Sequence, residues 1–229
     1  MSSIESAATS DLIRCLTTRD RRLFDQLFEK SVDVIIFGSR AAGVHSRSSD
    51  LDILCVGFCE RKRAERLDIV TRRPLEVEDR KWLGSELASH IAAYGIVIVG
   101  SAHWKKAVHL SDAAVSRKER RVLALVDGLW SYWDRIHVDF RRKYLTTIRR
   151  EVQRLQLLRE GIAVPPSPIL DRKWDAYGAS DSWIECSRSI NTVSQATRDH
   201  VLHTTDLIIR HSFTNEPSLL IDASFHSKP

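Results

Sequence analysis

The chain has 229 residues, of which 43% are hydrophobic and 28% charged, and its formal net charge is +5. This composition permits an ordinary globular core and excludes wholesale disorder. No apolar stretch approaches the ~18 residues of a membrane-spanning helix, so no spanning segment is expected.

From the N-terminal segment and the cysteines we expect a cytoplasmic protein. The segment Met1–Ala8 lacks a basic start followed by an apolar core, so it is not expected to be a secretory signal. The cysteines (Cys15, Cys55, Cys59 and Cys186) are scattered, and no second Cys/His pair completes a tetrahedral metal site. We expect reduced thiols, with Cys55 in the core. The mild positive charge suits a polyanionic ligand such as a nucleotide or RNA.

The first half of the chain alternates predicted helices and strands. Apolar residues about four positions apart predict helices over residues 10–30 and 80–94. Apolar and β-branched runs predict four strands, over residues 32–37, 51–56, 67–71 and 96–99. Gly38-Ser39 ends the first strand, and a short helix is expected from Arg40.

Beyond Ser101 the strand signals vanish and the pattern becomes helical. Amphipathic helices are predicted over 117–135, 137–160 and within 182–213, with a proline-rich loop at 161–168. The predicted fold class is therefore α+β. A small mixed β-sheet core flanked by helices occupies residues 1–104, and an all-helical domain that would bind an acceptor or partner occupies residues 105–229.

Two carboxylates stand at the start of the second predicted strand. Asp50 and Asp52 are two residues apart, so both side chains lie on one face, while Leu51 and Ile53 point the opposite way into the core. Neighbouring carboxylates repel each other, and divalent cations offset that repulsion. Mg²⁺ prefers carboxylate oxygens, and two ions about 3.5–4 Å apart form the clamp used in phosphoryl displacement.

A glycine-serine bend precedes these carboxylates in the sequence. A strand followed by glycine and a helix start presents backbone N–H groups to an anion, and Gly38 lets the main chain approach a phosphate closely. Ser39 adds a hydroxyl donor, and Arg40 and Arg47 add positive charge nearby. The bend is therefore a candidate phosphate site.

A two-metal site usually needs a third carboxylate on a neighbouring strand. Asp68 alternates with apolar residues in the third predicted strand and is the favoured candidate. Glu76, Glu78 and Asp79 compete, since Glu76 and Glu78 also alternate with hydrophobic residues. Pro74 disturbs the start of that second run, yet the alternatives stay open at this stage.

The stretch GSRAAGVHSRSSDLD resembles the signature of the nucleotidyltransferase superfamily that includes DNA polymerase beta, especially its minimal members. The pattern there is Gly-Ser-x-Ala-x-Gly, a short gap, then Ser-Asp-hydrophobic-Asp. The matching residues are Gly38, Ser39, Ala41, Gly43, Ser49, Asp50 and Asp52. LDIVT is similar to the third-carboxylate strand of the family, and YGIVIVG resembles the strand that closes its core. The resemblance covers roughly residues 30–104.

The resemblance implies transfer of a nucleoside monophosphate to an acceptor hydroxyl on a protein, small molecule or RNA, with release of pyrophosphate. Asp50, Asp52 and Asp68 would bind two Mg²⁺ ions, and Asp68 would also help to deprotonate the acceptor. The triphosphate, expected to be ATP, would be held by Gly38, Ser39, Arg40 and Ser49. No membrane partner and no sequence-reading of DNA are expected.

Two alternatives remain. One is an antitoxin-like protein that neutralises a partner toxin by contact. The other is an RNA-modifying nucleotidyltransferase whose basic helices grip tRNA. The helical half holds basic runs, which are usually solvated helix faces, at Arg117–Arg121, Arg141–Lys143 and Arg149–Arg150. Arg142, Arg149 and Arg150 would also share a face and line a groove over the nucleotide site.

Overall fold

A computed structural model describes residues 12–14, 16–57, 64–132 and 135–176. The described residues up to Ala114, together with Ile162–Pro168, form one compact unit. Those of Val115–Gly161 and from Ile169 onward form a second unit. The helices predicted within residues 182–213 lie outside the described residues.

The first unit is built from short helices and four β-strands in the part of the chain that is described. In chain order these are α1 (Thr18–Lys30), β1 (Asp33–Phe37), α2 (Gly38–Ala41), β2 (Leu51–Val56), β3 (Leu67–Arg72), α3 (Pro74–Val77), α4 (Arg80–Leu83), α5 (Glu86–Tyr94), β4 (Ile96–Val99) and a 3₁₀ turn (His103–Ala107). Three further helices follow: α6 (Asp112–Tyr132), α7 (Val138–Arg159) and α8 (Ser167–Ala176).

The strands form one mixed sheet in the order β3-β2-β1-β4. Strand β1 is antiparallel to β2 and to β4, whereas β2 and β3 are parallel. The predicted α+β class with a small mixed sheet is therefore confirmed.

Both faces of the sheet are buried. One face packs against α1 through a cluster that includes Leu23, Leu27, Val34, Ile36, Leu51 and Ile53. The opposite face packs against α4 and α5 through a cluster that includes Ile35, Leu54, Val56, Trp82 and Ile91. Cys55 is fully buried in the first cluster, as predicted, and burial raises the pKa of its thiol to about 12.

Two helices predicted as continuous from their apolar spacing are interrupted in the structure. In the helix predicted over 10–30, Leu12 and Ile13 are helical, but a new helix begins at Thr18, because Thr17 caps it by accepting a hydrogen bond from the Asp20 N–H at 3.1 Å. The helix predicted over 80–94 stops at Gly84, and Ser85 caps a new helix by accepting from the Ala88 N–H at 3.1 Å. In both places a hydroxyl cap competes with continuation of the apolar stripe.

Buried Asp33 anchors the turn that follows β4. Its Oδ1 accepts hydrogen bonds from the N–H groups of Ser101 and Ala102, each at 3.0 Å. Ala102 adopts a left-handed backbone with φ of 45°, and Gly100 before it has φ of 80°. The carboxylate thus holds a turn whose backbone geometry is unfavourable on its own.

Replacing Asp33 by alanine is expected to lower stability by about 2 kcal/mol, because two main-chain donors lose their acceptor. At this chain length the melting temperature should fall by about 4–8 °C. Asp33→Asn retains an acceptor oxygen and serves as the matched control with a smaller shift. A thermal melt of both variants checks this, and equal shifts would show that only the charge matters.

Ion pairs tie together the basic helices of the second unit. Lys118 Nζ lies 2.6 Å from Glu151 Oε2, and both side chains are buried. Arg149 and Arg150 each donate at 2.6 Å to the carboxylate of Asp171. These contacts give Lys118, Arg149 and Arg150 a structural role in addition to any role of the basic runs as solvated faces. Among the helices described, none has the length and apolarity needed to cross a membrane.

Candidate active site

Two of the predicted carboxylates are direct neighbours across parallel strands. The register of β2 and β3 places Asp52 beside Asp68, on backbones about 4.8 Å apart, the usual spacing between strands. Register partners point to the same face of a sheet, so the two side chains are close together. Asp52 is half-buried and Asp68 is exposed. The pair lies at the end of the sheet where β1 terminates, since Phe37 is the antiparallel partner of Asp52.

The glycine-serine bend lies directly against this carboxylate pair. Gly38 follows the last residue of β1 and has φ of +73°, a conformation that favours glycine. A Cβ atom at this position would overlap the carboxylate of Asp52. Ser39, half-buried, is the next residue of α2. The predicted phosphate bend and the predicted metal ligands are therefore at the same place.

Asp50 is exposed and lies just before β2. Its Oδ1 is 3.9 Å from Arg66 Nε, an ion-pair distance. Within the described ranges, no three acidic, histidine or cysteine side chains converge into a preformed metal cluster. The structure thus brings Asp52 and Asp68 together as neighbours, while Asp50 faces an arginine.

The three carboxylates nevertheless interact electrostatically. The pKa of Asp52 is raised to about 6, mainly by burial and then by the charges of Asp68 and Asp50, while the charge of Arg40 opposes the rise. A divalent cation would offset the repulsion between these carboxylates, and carboxylate oxygens are the ligands that Mg²⁺ prefers. The neighbouring carboxylates of Asp52 and Asp68 therefore suit a divalent cation, whereas a place for Asp50 among its ligands stays a prediction.

Arg40 is engaged with the loop before β2, and a contact between Arg40 and a phosphate stays a prediction. Arg40 is buried, and its guanidinium donates to the carbonyl oxygen of Ser49 at 2.6 Å and of Asp50 at 3.2 Å. Arg40 thus holds the main chain that leads into β2. The sequence did not indicate this task, because the contact joins residues nine and ten positions apart in an irregular segment.

Ser49 uses its hydroxyl within the loop. Its Oγ accepts from the Ser46 N–H at 3.0 Å, and the two hydroxyls are 3.1 Å apart. These bonds shape the turn just before the carboxylates. A contact between Ser49 and a nucleotide stays a prediction.

The competing carboxylates are not on a strand. Pro74 begins helix α3, and the Arg73 N–H donates to Glu76 Oε2 at 2.9 Å, which caps that helix. Glu78 follows at the end of the same turn. The interpretation of Glu76 and Glu78 as an alternating strand is wrong, because proline at the first helical position favours a turn of helix over an extended chain.

Sequence reasoning missed Arg66 as a residue of the site. Its side chain reaches the Arg47 and Ser49 carbonyls as well as Asp50. A single arginine before a strand carries no local signal of such contacts.

The raised pKa of Asp52 makes stability depend on pH. The folded state binds this proton more tightly than the unfolded chain, whose value is 3.8, so the contribution is present below about pH 4 and is lost as pH rises through about 6. Asp52→Asn should therefore melt higher than the wild type at pH 7.5, with a clearly smaller difference at pH 4.5. Screening by solvent limits the gain to about 1 kcal/mol, or about 2–4 °C.

Melting curves in EDTA check this prediction, since chelation keeps adventitious cations from altering the carboxylate. Asp25→Asn, which changes an exposed carboxylate on α1, is the control. A difference between Asp52→Asn and wild type that is the same at both pH values would contradict it.

Comparison with known proteins gives one family. Residues 21–123, which include the bend and all three carboxylates, match the nucleotidyltransferase domain family. A solved structure, of a nucleotidyltransferase-like protein from Exiguobacterium sibiricum, is 12% identical over 85% of this chain and 72% of that chain, with a TM-score of 0.39. That TM-score is too low to establish a shared architecture. No curated protein matches the chain.

Proposed function

Since residues 21–123 match the nucleotidyltransferase domain family, we propose that the chain transfers a nucleoside monophosphate from a nucleoside triphosphate to an acceptor hydroxyl. The acceptor oxygen forms a bond to the α-phosphorus, the bond from that phosphorus to the bridging oxygen breaks, and pyrophosphate leaves. The hydroxyl proton passes to a base. ATP is the expected triphosphate, and the acceptor is a protein, a small molecule or RNA.

The observation that carries the proposal is the register of Asp52 with Asp68 beside the Gly38 bend. A bend that admits close approach of an anion lies against carboxylates that attract cations. A triphosphate–cation complex meets both requirements at once, because its phosphates suit the bend and its cation suits the carboxylates.

Each residue has a distinct task in this proposal. Gly38 and Ser39 receive the triphosphate with main-chain N–H groups and a hydroxyl. Exposed Asp68 accepts the proton of the acceptor hydroxyl, which must come within hydrogen-bond reach of it. Half-buried Asp52, with Asp50, would hold Mg²⁺, and the bound ions would neutralise charge on the transferring phosphoryl group. Catalysis is then mainly positioning and charge neutralisation.

Selection of the acceptor is assigned in this proposal to the helical half, residues 105–229. The described basic residues Lys118, Arg149 and Arg150 are engaged in ion pairs there. They therefore give no support to the alternative of a tRNA-gripping surface built from those side chains.

The test uses each of the four ribonucleoside triphosphates labelled at the α-phosphorus, with MgCl₂ and cell extract. Labelled product together with pyrophosphate release supports the proposal, and its sensitivity to protease or ribonuclease identifies the acceptor class. Asp52→Ala is the inactive control and Asp25→Ala the active one. No label from any triphosphate, with no nucleotide binding by calorimetry, would overturn the proposal and leave the antitoxin-like binding protein.

A further inference from the structure

We propose that Arg66 is a positioning residue that sets the place of Asp50 for cation binding. This inference rests on the proposed function. It concerns a set of contacts that joins α1, the start of β3 and the loop before β2.

Two arginines converge on one main-chain oxygen. The Ser49 carbonyl accepts from Arg40 Nη2 at 2.6 Å and Nε at 3.1 Å, and from Arg66 Nη2 at 3.3 Å. We call this arrangement the Ser49 clamp. It fixes the residue immediately before Asp50 from two sides, and a backbone so fixed leaves Asp50 little freedom except rotation of its side chain.

Arg66 also contacts residues on either side of Ser49 in the chain. Its Nη2 also donates to the Arg47 carbonyl at 2.6 Å, so it spans the loop. Its Nε is buried, has no hydrogen-bond partner among the residues described, and lies 3.9 Å from Asp50 Oδ1. At that separation the guanidinium attracts the Asp50 carboxylate without a hydrogen bond to it. The carboxylate oxygens therefore stay available to another cation.

Arg66 is itself held by a buried carboxylate. Asp20 on α1 is fully buried, and its two oxygens accept from the N–H groups of Glu65 at 3.1 Å and Arg66 at 2.9 Å. Helix α1 therefore fixes the main chain from which the Arg66 side chain departs. Residues that orient the ligands of a metal in this way typically change its affinity 10- to 100-fold when they are replaced.

Arg66→Lys isolates positioning from charge. Lysine keeps the positive charge beside Asp50 but lacks the planar fork that reaches two carbonyls and a carboxylate together. We expect Mn²⁺ to bind the full-length protein about 10-fold more weakly, measured by electron paramagnetic resonance without nucleotide. Arg21→Lys is the matched control, because Arg21 makes a similar but exposed pair with Asp25 on α1, with Nε 3.6 Å from Oδ1. It should bind Mn²⁺ as the wild type does.

Arg66→Gln provides a second, independent variant in case lysine disturbs the loop. Loss of a positive charge next to Asp50 would by itself tighten cation binding, whereas loss of positioning weakens it. We expect weaker binding. Wild-type Mn²⁺ affinity in Arg66→Lys, or unchanged or tighter binding in Arg66→Gln, would overturn the inference while leaving the proposed function intact. Failure of the wild type to bind Mn²⁺ would overturn the inference and the proposed metal dependence together.

Discussion

Replacing Asp52 by alanine is expected to reduce nucleotidyl transfer by about 10³-fold or more, equivalent to about 4 kcal/mol of transition-state stabilisation. Asp52 is the carboxylate that lies beside Asp68 on β3 and against the Gly38 bend. Without this carboxylate the cation loses a ligand at the place where it would contact the triphosphate. The measurement is the rate of labelled product formation at saturating triphosphate and Mg²⁺.

The loss in Asp52→Ala should occur without unfolding. The pKa of Asp52 is raised by burial and by neighbouring carboxylates, so its charge opposes folding at neutral pH and its removal relieves that cost. The melting temperature at pH 7.5 should therefore equal or exceed that of the wild type. Asp25→Ala should keep full activity. Turnover of Asp52→Ala near the wild-type rate would show that the carboxylate has no part in the reaction.

Replacing Gly38 by alanine is expected to reduce transfer by about 10²-fold. Two effects combine at this position. The φ of +73° costs an alanine about 1–2 kcal/mol, and the new Cβ would overlap the Asp52 carboxylate. Because that carboxylate must move, the site loses its alignment as well as some stability. Activity and melting temperature are measured on the same preparation.

Gly161→Ala separates the two effects. Gly161 has a similar φ of +71°, but a Cβ there meets nothing within 4 Å. It should lower stability by a similar backbone cost and leave the transfer rate unchanged. If Gly38→Ala lost no more activity than Gly161→Ala, close approach of the bend to Asp52 would be irrelevant to the reaction.

Apolar periodicity predicted the helices and strands of the first unit well where no capping residue or proline interrupted it. The alternation of Leu51, Asp52 and Ile53 predicted both the strand and the faces of its side chains, and Leu51 and Ile53 are fully buried. The predictions failed where a cap or a proline competed with the periodicity. Ser85 divides the helix predicted over 80–94, and Pro74 turns an apparent strand into a helix.

The sequence by itself determined that Asp52 lies in a strand between inward-facing Leu51 and Ile53 and that a glycine-serine bend ends the strand before it. Those features depend on residues adjacent in the chain, so periodicity and backbone freedom are sufficient to predict them. Only the tertiary structure decided that Asp68 is the neighbour of Asp52, and that Arg40 and Arg66 meet at the Ser49 carbonyl. Strand register and the reach of long side chains depend on packing between distant segments, which no local pattern records.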